Sequence, residues 1–310
     1  MEVFRDLTGL SRNPNCVITT GTFDGVHLGH QSIIRKLHDE AQSGECITIV
    51  TFEPHPQFIL KRQRRTELKL LSTIEEKIAI FESLRIDRLI VLKFDEAFAQ
   101  ISSRQFVEDI LVKQIGFRKI IIGYDHAFGR DRLGNQEILT ELSQQYHYAI
   151  ITLPPLTIDG IVVSSTKIRN LLAAGNIEQA NRLLGRPYRL SGEVIRGEGR
   201  GRTLSVPTAN IQPNSREKLI PRHGIYAVQA HLGTRLYKAV LYIGTKPTFS
   251  YPEQSIELHL FDFAGNLYGQ MLTIEFIARI RDDVQFETSE QLIKQIEIDK
   301  QKTLEILATI

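Results

Sequence analysis

Two histidines, an aspartate and three glycines fall within the ten residues Gly21 to His30, GTFDGVHLGH. They follow the apolar run CVITTGTF and precede a helix-period segment, so they form a turn at the carboxyl end of a strand, where open parallel sheets bind ligands. Gly21, Gly25 and Gly29 let backbone approach an anion closely, and the first amides of the following helix present donors and a positive dipole end. His27 and His30 can donate to phosphate oxygens, and Phe23 and Asp24 share the turn. The chemistry that suits this set is binding of a triphosphate and stabilisation of charge on it.

Other stretches carry similar chemistry less specifically. In SSTKIR, the hydroxyls of Ser164, Ser165 and Thr166 stand at a helix start with Lys167 and Arg169 behind them, a set that can hold polyphosphate; taken alone it also reads as a capped helix. Asp125 and Phe128 follow the strand-like KIIIGY, so Asp125 could accept from a ribose or adenine and Phe128 could flank a flat ring, against the plainer readings of turn aspartate and core phenylalanine. Gly197, Gly199 and Gly201 in GEGRGRTLSVPTAN suggest a phosphate loop, yet their spacing is short for a Walker loop, Arg202 replaces its lysine, and Pro207 opposes a directly following helix. In SIELHLF, strand alternation puts Glu257 on the face opposite Ile256 and Leu258, where a solvent-facing glutamate is the alternative. The basic run Lys61, Arg62, Arg64 and Arg65 has no interleaved aromatics and reads as a solvated loop, with a flap near anionic substrates as the other possibility.

The elements that must position these residues change character along the chain. From Cys16 to about Leu184, short apolar runs (CVITTGTF, CITIVTF, DRLIVLKF, KIIIGYD) alternate with helix-period segments, which predicts a parallel sheet with crossover helices. Ser72 with Glu75, and Ser102 with Gln105, have capping-box spacing. In the helix over Leu28 to Gln42, Ile33, Ile34, Leu37 and Ala41 share the face that covers the sheet. After Gly185 the runs YRLSGEVI, GIYAVQAHL, RLYKAVLYI, SIELHLFDF and QMLTIEFIARI are separated by turn residues, as in an antiparallel barrel or sandwich. A helix from Thr288 to about Leu307, with Thr288 and Gln291 at capping-box spacing, closes the chain. The fold class is therefore α/β plus all-β, with domains over 1–185 and 186–310 joined at GRPYR around Pro187.

Composition bounds the partners. At 310 residues with 42% hydrophobic content the chain can fill two cores, and a formal charge of +2 argues against a nucleic-acid coat or polybasic membrane anchor. Cys16 and Cys46, the two cysteines, lie in strand-like runs and read as buried, reduced thiols. The start MEVFRDLTGL lacks the features of a secretory signal, and no apolar run reaches spanning length, so the expectation is a cytoplasmic protein.

GTFDGVHLGH resembles the GxFDGxHxGH signature of the HxGH nucleotidyltransferases, with that pattern's histidines falling on His27 and His30. TFEPHP from Thr51, GYDHAFGRDRLGN from Gly123 and SSTKIR from Ser164 resemble successive motifs of the prokaryotic FAD synthetases. GEGRGRTLSVPTAN, PRHGIYA, IGTKPTF, IELHLFDF and NLYG resemble, in order, the motifs of riboflavin kinases up to Gly269. Taken together, the chain resembles the bifunctional riboflavin kinase/FMN adenylyltransferases.

That resemblance implies phosphorylation of riboflavin to FMN in the C-terminal half and adenylylation of FMN to FAD in the N-terminal half, with ATP as co-substrate and Mg²⁺ as metal. It maps ATP and magnesium contacts onto Thr208 and Asn210 and the base onto Glu257, and gives His27, His30, Ser165, Thr166 and Arg169 to adenylyl transfer. Ser205 and Val206 replace the family's usual Gly and Phe, and Tyr242 its common Asn, which bears on kinase efficiency. Two other readings remain: adenylyl transfer to another phosphorylated acceptor, such as a nicotinamide or pantetheine phosphate, and a flavin-binding regulator with a weakened kinase. The PTAN-containing second domain argues against the first.

Overall fold

The computed structural model describes residues 1–60, 68–124, 136–196, 207–246 and 253–309. Asp125, Phe128, Gly197, Gly199, Gly201, Ser205, Val206 and the basic run after Leu60 lie outside these residues. Contacts divide the chain into two compact units, Met1–Ser164 and Ser165–Ile310.

The first unit is built on strands β1 (Glu2–Phe4), β2 (Cys16–Thr20), β3 (Cys46–Glu53), β4 (Arg88–Lys93), β5 (Lys119–Gly123) and β6 (Ala149–Leu153). They form one parallel sheet in the order β1-β4-β3-β2-β5-β6. Side chains alternate between two cores, as the pleat requires. Ile18, Val50, Ile90 and Leu92 pack on one face, and Val17, Ile49, Leu89 and Ile121 on the other. Strand β1 is too short to show an apolar period and exists by pairing Val3 with Leu89. A small hairpin, β7 (Thr157–Ile158) and β8 (Ile161–Val162), precedes Ser164.

Helices α1 (Leu28–Glu40), α2 (Pro56–Leu60), α3 (Ile74–Ser83), α4 (Ser103–Gln105) and α5 (Gln136–Tyr146) belong to the same unit. From α4 the chain continues as a π-helix over Phe106–Ile115, ended by Gly116 at φ 77°. The capping box at Ser102 and Gln105 is present. The one expected at Ser72 and Glu75 is displaced by one residue: Thr73 and Glu76 form the box of α3, because the Ser72 hydroxyl is taken by Gly25 N–H at 2.8 Å.

The second unit opens with α6 (Ser165–Ala174) and α7 (Ile177–Leu184), the latter stopped by Gly185 in the left-handed region. Six antiparallel strands follow: β9 (Tyr188–Ile195), β10 (Ala209–Pro213), β11 (Gly224–Leu232), β12 (Arg235–Lys246), β13 (Glu253–Leu260) and β14 (Met271–Arg281). They close into a barrel in the order β10-β13-β12-β11-β14-β9. Tyr188, Leu190, Tyr226, Leu258 and Phe276 are buried in this unit. The last helix, α8 (Ser289–Ala308), packs on β11, β12 and β14. Its position is fixed by Arg281, whose guanidinium meets both oxygens of the buried Asp299, with Nη2 to Oδ2 at 2.7 Å. Thr288 caps α8 through Gln291 N–H at 3.3 Å, but Gln291 returns to Glu287 N–H, so the reciprocal half of the expected box is absent.

Candidate active sites

Strand β2 lies between β3, which follows it in the chain, and β5, which lies on its other side, so the sheet's topological switch is at the carboxyl ends of β2 and β5. The turn from Gly21 to His27 starts at the first of these ends, and Gly123 and Tyr124 stand at the second. This is the crevice where such sheets bind ligands.

The turn holds an unusual backbone. Phe23 (φ 48°), Gly25 (φ 82°) and Val26 (φ 38°) all lie at positive φ, and two of them are not glycine. Such conformations persist only where neighbours over-determine them. Here the neighbours are explicit. The Asp24 carboxylate, 2% exposed, accepts from Leu71 N–H at 2.9 Å and Ser72 N–H at 3.0 Å, while Ser72 Oγ accepts from Gly25 N–H. Lys77 of α3 and Thr51 of β3 both donate to the Thr22 carbonyl, at 3.3 and 3.4 Å. Phe23 packs edge-on against Phe81 and His30.

The histidines are joined to the helix they open. His27 is the N-cap of α1, its Nδ1 accepting from His30 N–H at 3.3 Å, and its ring stacks on that of His30 with centroids 3.6 Å apart. Gly29 suits this packing, since a Cβ there would sit 3.2 Å from the His27 ring, close enough to press on it, and 3.6 Å from the Val163 carbonyl. A Cβ on Gly21 would meet the Phe23 ring at 3.3 Å. The contact with Val163 also shows that the chain leading to Ser164 passes beside the turn. Ser165, Thr166 and Arg169 are in the first turns of α6, anchored by the buried Ile168; Thr166 is exposed, and Ser165 and Arg169 are half-buried.

In the barrel, Ile256 and Leu258 are buried, and Glu257 lies on the opposite face of β13, half-buried. Its register partners are Asn210 on β10 and Tyr242 on β12. Ser255 Oγ donates to Glu257 at 2.9 Å, and the Thr208 hydroxyl lies at 3.5 Å from its other oxygen. Pro207, Thr208 and Asn210 are therefore the approach to, and part of, one outer face of the barrel centred on a carboxylate. His259 Nδ1 and the Pro207 carbonyl, 2.8 Å apart, tie this approach to β13.

Tyr242 turns its hydroxyl to Asp283, at 2.9 Å, and lies over Gly244, where any Cβ would collide with the phenol. Burial, followed by the Asp283 hydrogen bond and charge, pushes the Tyr242 hydroxyl's pKa up. The tyrosine thus stays neutral and leaves Glu257 to Ser255 and Thr208. Asp283, Asp282, Arg222, His223 and Ala173 line an open groove of about 580 Å³.

Residue patterning does not single out Lys77 or Asp283, and it gives Ser72 a capping role and Thr51 a place in a motif without their contacts to the turn, because tertiary packing makes those contacts. Lys77 carried a usable signal: it falls on the buried face of α3 with Ile74 and Phe81, where a lysine is unusual.

Residues 10–167 match the FAD synthetase family and residues 184–307 the riboflavin kinase family. The chain is 37% identical over 298 residues to a bifunctional riboflavin kinase/FMN adenylyltransferase of Bacillus subtilis, covering 95% of this chain and 93% of that one. A protein of the same description from Haemophilus influenzae is 36% identical over 303 residues, covering 96% and 97%. A solved Streptococcus pneumoniae structure, described as a macrolide-efflux protein, superposes with a TM-score of 0.88 at 28% identity and covers 97% of each chain. Among the described residues of this chain, no helix is long and apolar enough to cross a membrane.

Proposed function

Because the chain belongs to the family of bifunctional riboflavin kinase/FMN adenylyltransferases, using ATP to make FMN from riboflavin and FAD from FMN, we propose the following division of that work among its residues. Residues 1–185 carry adenylyl transfer and 186–310 carry the kinase. The observation that carries the kinase assignment is the Glu257 carboxylate directly across β10 and β13 from Asn210, with the Thr208 hydroxyl beside it.

In the kinase, Glu257 takes the proton of riboflavin's terminal hydroxyl as that oxygen bonds to the γ-phosphorus of ATP and the bond to ADP breaks. Thr208 and Asn210 offer oxygen donors on one half-buried face, a donor type that suits a hard cation such as Mg²⁺. When bound, that ion neutralises charge on the transferring phosphoryl group. Gly197, Gly199, Gly201 and Pro207 belong to the segment assigned to the phosphates.

In adenylyl transfer, an FMN phosphate oxygen bonds to the α-phosphorus of ATP and the bond to pyrophosphate breaks. The nucleophile is already an anion, so the protein's part is alignment and charge stabilisation rather than proton removal. His27, whose Nδ1 is an acceptor, presents Nε2–H in its neutral form, beside His30 and the first amides of α1; the motif resemblance assigns Ser164, Ser165, Thr166 and Arg169 to the same reaction. Asp24 and Gly25 hold the turn's shape. Asp125 and Phe128 are assigned to the adenine or flavin.

The same reading places the protein in the cytoplasm, acting on soluble riboflavin, FMN, FAD and ATP, with neither nucleic acid nor membrane as partner. Glu257→Gln, which keeps the side chain's shape and removes its basicity, tests the kinase assignment. It is expected to abolish FMN formation from riboflavin and to leave FAD formation from supplied FMN unchanged; retained FMN formation would overturn the assignment.

A further inference from the structure

Lys77 is 4% exposed, in the first turn of α3, with its ammonium hydrogen-bonded to the Thr22 carbonyl inside the phosphate-binding turn. Burying a lysine is costly, and a cation so placed is kept where it has a fixed partner and a task. The charged groups around it are Asp24 of the turn, Glu53 at the end of β3 and Glu75 of its own helix, and burial outweighs them in lowering its pKa. Thr51, itself fully buried, donates to the same carbonyl from β3. Two elements on either side thus pull one carbonyl of the turn inward.

The consequence follows from peptide geometry. In a trans peptide the C=O and N–H of one unit point in opposite directions. Drawing the Thr22 carbonyl toward Lys77 turns the Phe23 N–H the other way, and this amide makes no hydrogen bond to any described residue. Gly25 N–H, by contrast, is committed to Ser72.

We propose that Lys77 is a positioning residue for adenylyl transfer: by holding the Thr22 carbonyl inward it aims the Phe23 amide at the ATP phosphates. It touches the turn and not the substrate. The proposal rests on the turn being the site of adenylyl transfer.

The test uses the full chain and three substitutions, Lys77→Met, Lys77→Gln and Lys77→Arg. FAD formation is measured from supplied FMN with ATP varied, and riboflavin phosphorylation by the same preparations is the internal control. Lys77→Met is expected to lower kcat for FAD formation by about 10²-fold, the scale of losing one pre-aimed donor, with a smaller change in the KM for ATP. Riboflavin phosphorylation should stay within about twofold of wild type. Lys77→Gln, which can keep the hydrogen bond without the charge, should fall between Met and wild type, and Lys77→Arg should recover most of the activity.

A lysine that only supported folding would lower the melting temperature and leave kcat for FAD formation intact below it, and that result overturns the proposal. So does a loss shared equally by both reactions in Lys77→Gln, the variant that decides the matter where Lys77→Met does not fold. If the wild-type chain made no FAD from FMN, the site assignment would fail instead.

Discussion

The imidazole of His27 lies flat on that of His30, planes 17° from parallel, while its Nδ1 accepts the His30 backbone N–H. One side chain therefore closes the helix and orients its neighbour. The same bond decides which of its nitrogens carries hydrogen in the neutral ring, and so what it can offer a phosphate.

These two duties separate by substitution. His27→Asn keeps a good capping oxygen and loses the imidazole donor, whereas His27→Ala loses both. Urea unfolding should show His27→Ala destabilised by about 1 kcal/mol relative to His27→Asn. Both should slow FAD formation by about 10²- to 10³-fold, since neither has the ring donor. Equal rates for His27→Asn and wild type would remove the donor role.

Asp24 is predicted to matter through the turn's shape. Asp24→Ala leaves the Leu71 and Ser72 amides without their buried acceptor, at a cost of about 1–3 kcal/mol. Asp24→Asn retains one carbonyl oxygen and should cost less. Chemical denaturation ranks the three proteins, and an Asp24→Ala protein as stable as wild type would contradict the clamp.

Cys46 supplies a prediction in pH. Strand pairing sets it opposite Cys16, whose thiol hydrogen bond, opposed by burial and helped by Thr48 and Arg88, lowers the Cys46 pKa to about 7 from an ordinary 9.0. The thiolate population, and with it the alkylation rate, should rise as pH passes through about 7. Buried Cys16, whose pKa is pushed up by its pairing with Cys46 and by burial, should stay unlabelled in the folded protein. Timed iodoacetamide labelling read by mass spectrometry checks both, and a Cys46 midpoint near the ordinary value would contradict the pairing.

The architecture was legible where patterning is dense. The barrel runs YRLSGEVI and GIYAVQAHL coincide with β9 and β11 in full: β9 alternates between buried and less buried positions, whereas β11 is a dense apolar run whose first five residues are all buried, with α8 packed on that strand. Strand β10 was not, since Pro207, Thr208 and Asn210 read as a loop motif and the strand is made by its pairing with β9 and β13. Cys46 was expected to be buried and is half-buried, at the entry of β3. The turn from Gly21 to His27 was legible as a turn, but its supports were not: two capping registers, Ser72–Glu75 and Thr73–Glu76, are equally good in sequence, and only the demand of Gly25 N–H for Ser72 selects the second. Lys77 and Thr51 reach the turn from separate elements, a relationship that no local pattern encodes.

If two reactions occur at two sites in one chain, two proteins inactivated at different sites restore each other when mixed. His30→Ala and Glu257→Gln are each given riboflavin, ATP and Mg²⁺, alone and together, and FMN and FAD are resolved by chromatography. His30→Ala alone should accumulate FMN, Glu257→Gln alone should convert nothing, and the mixture should make FAD. A mixture that makes no FAD although His30→Ala supplies FMN, or FAD formed at the wild-type rate by either variant alone, would contradict two separate sites.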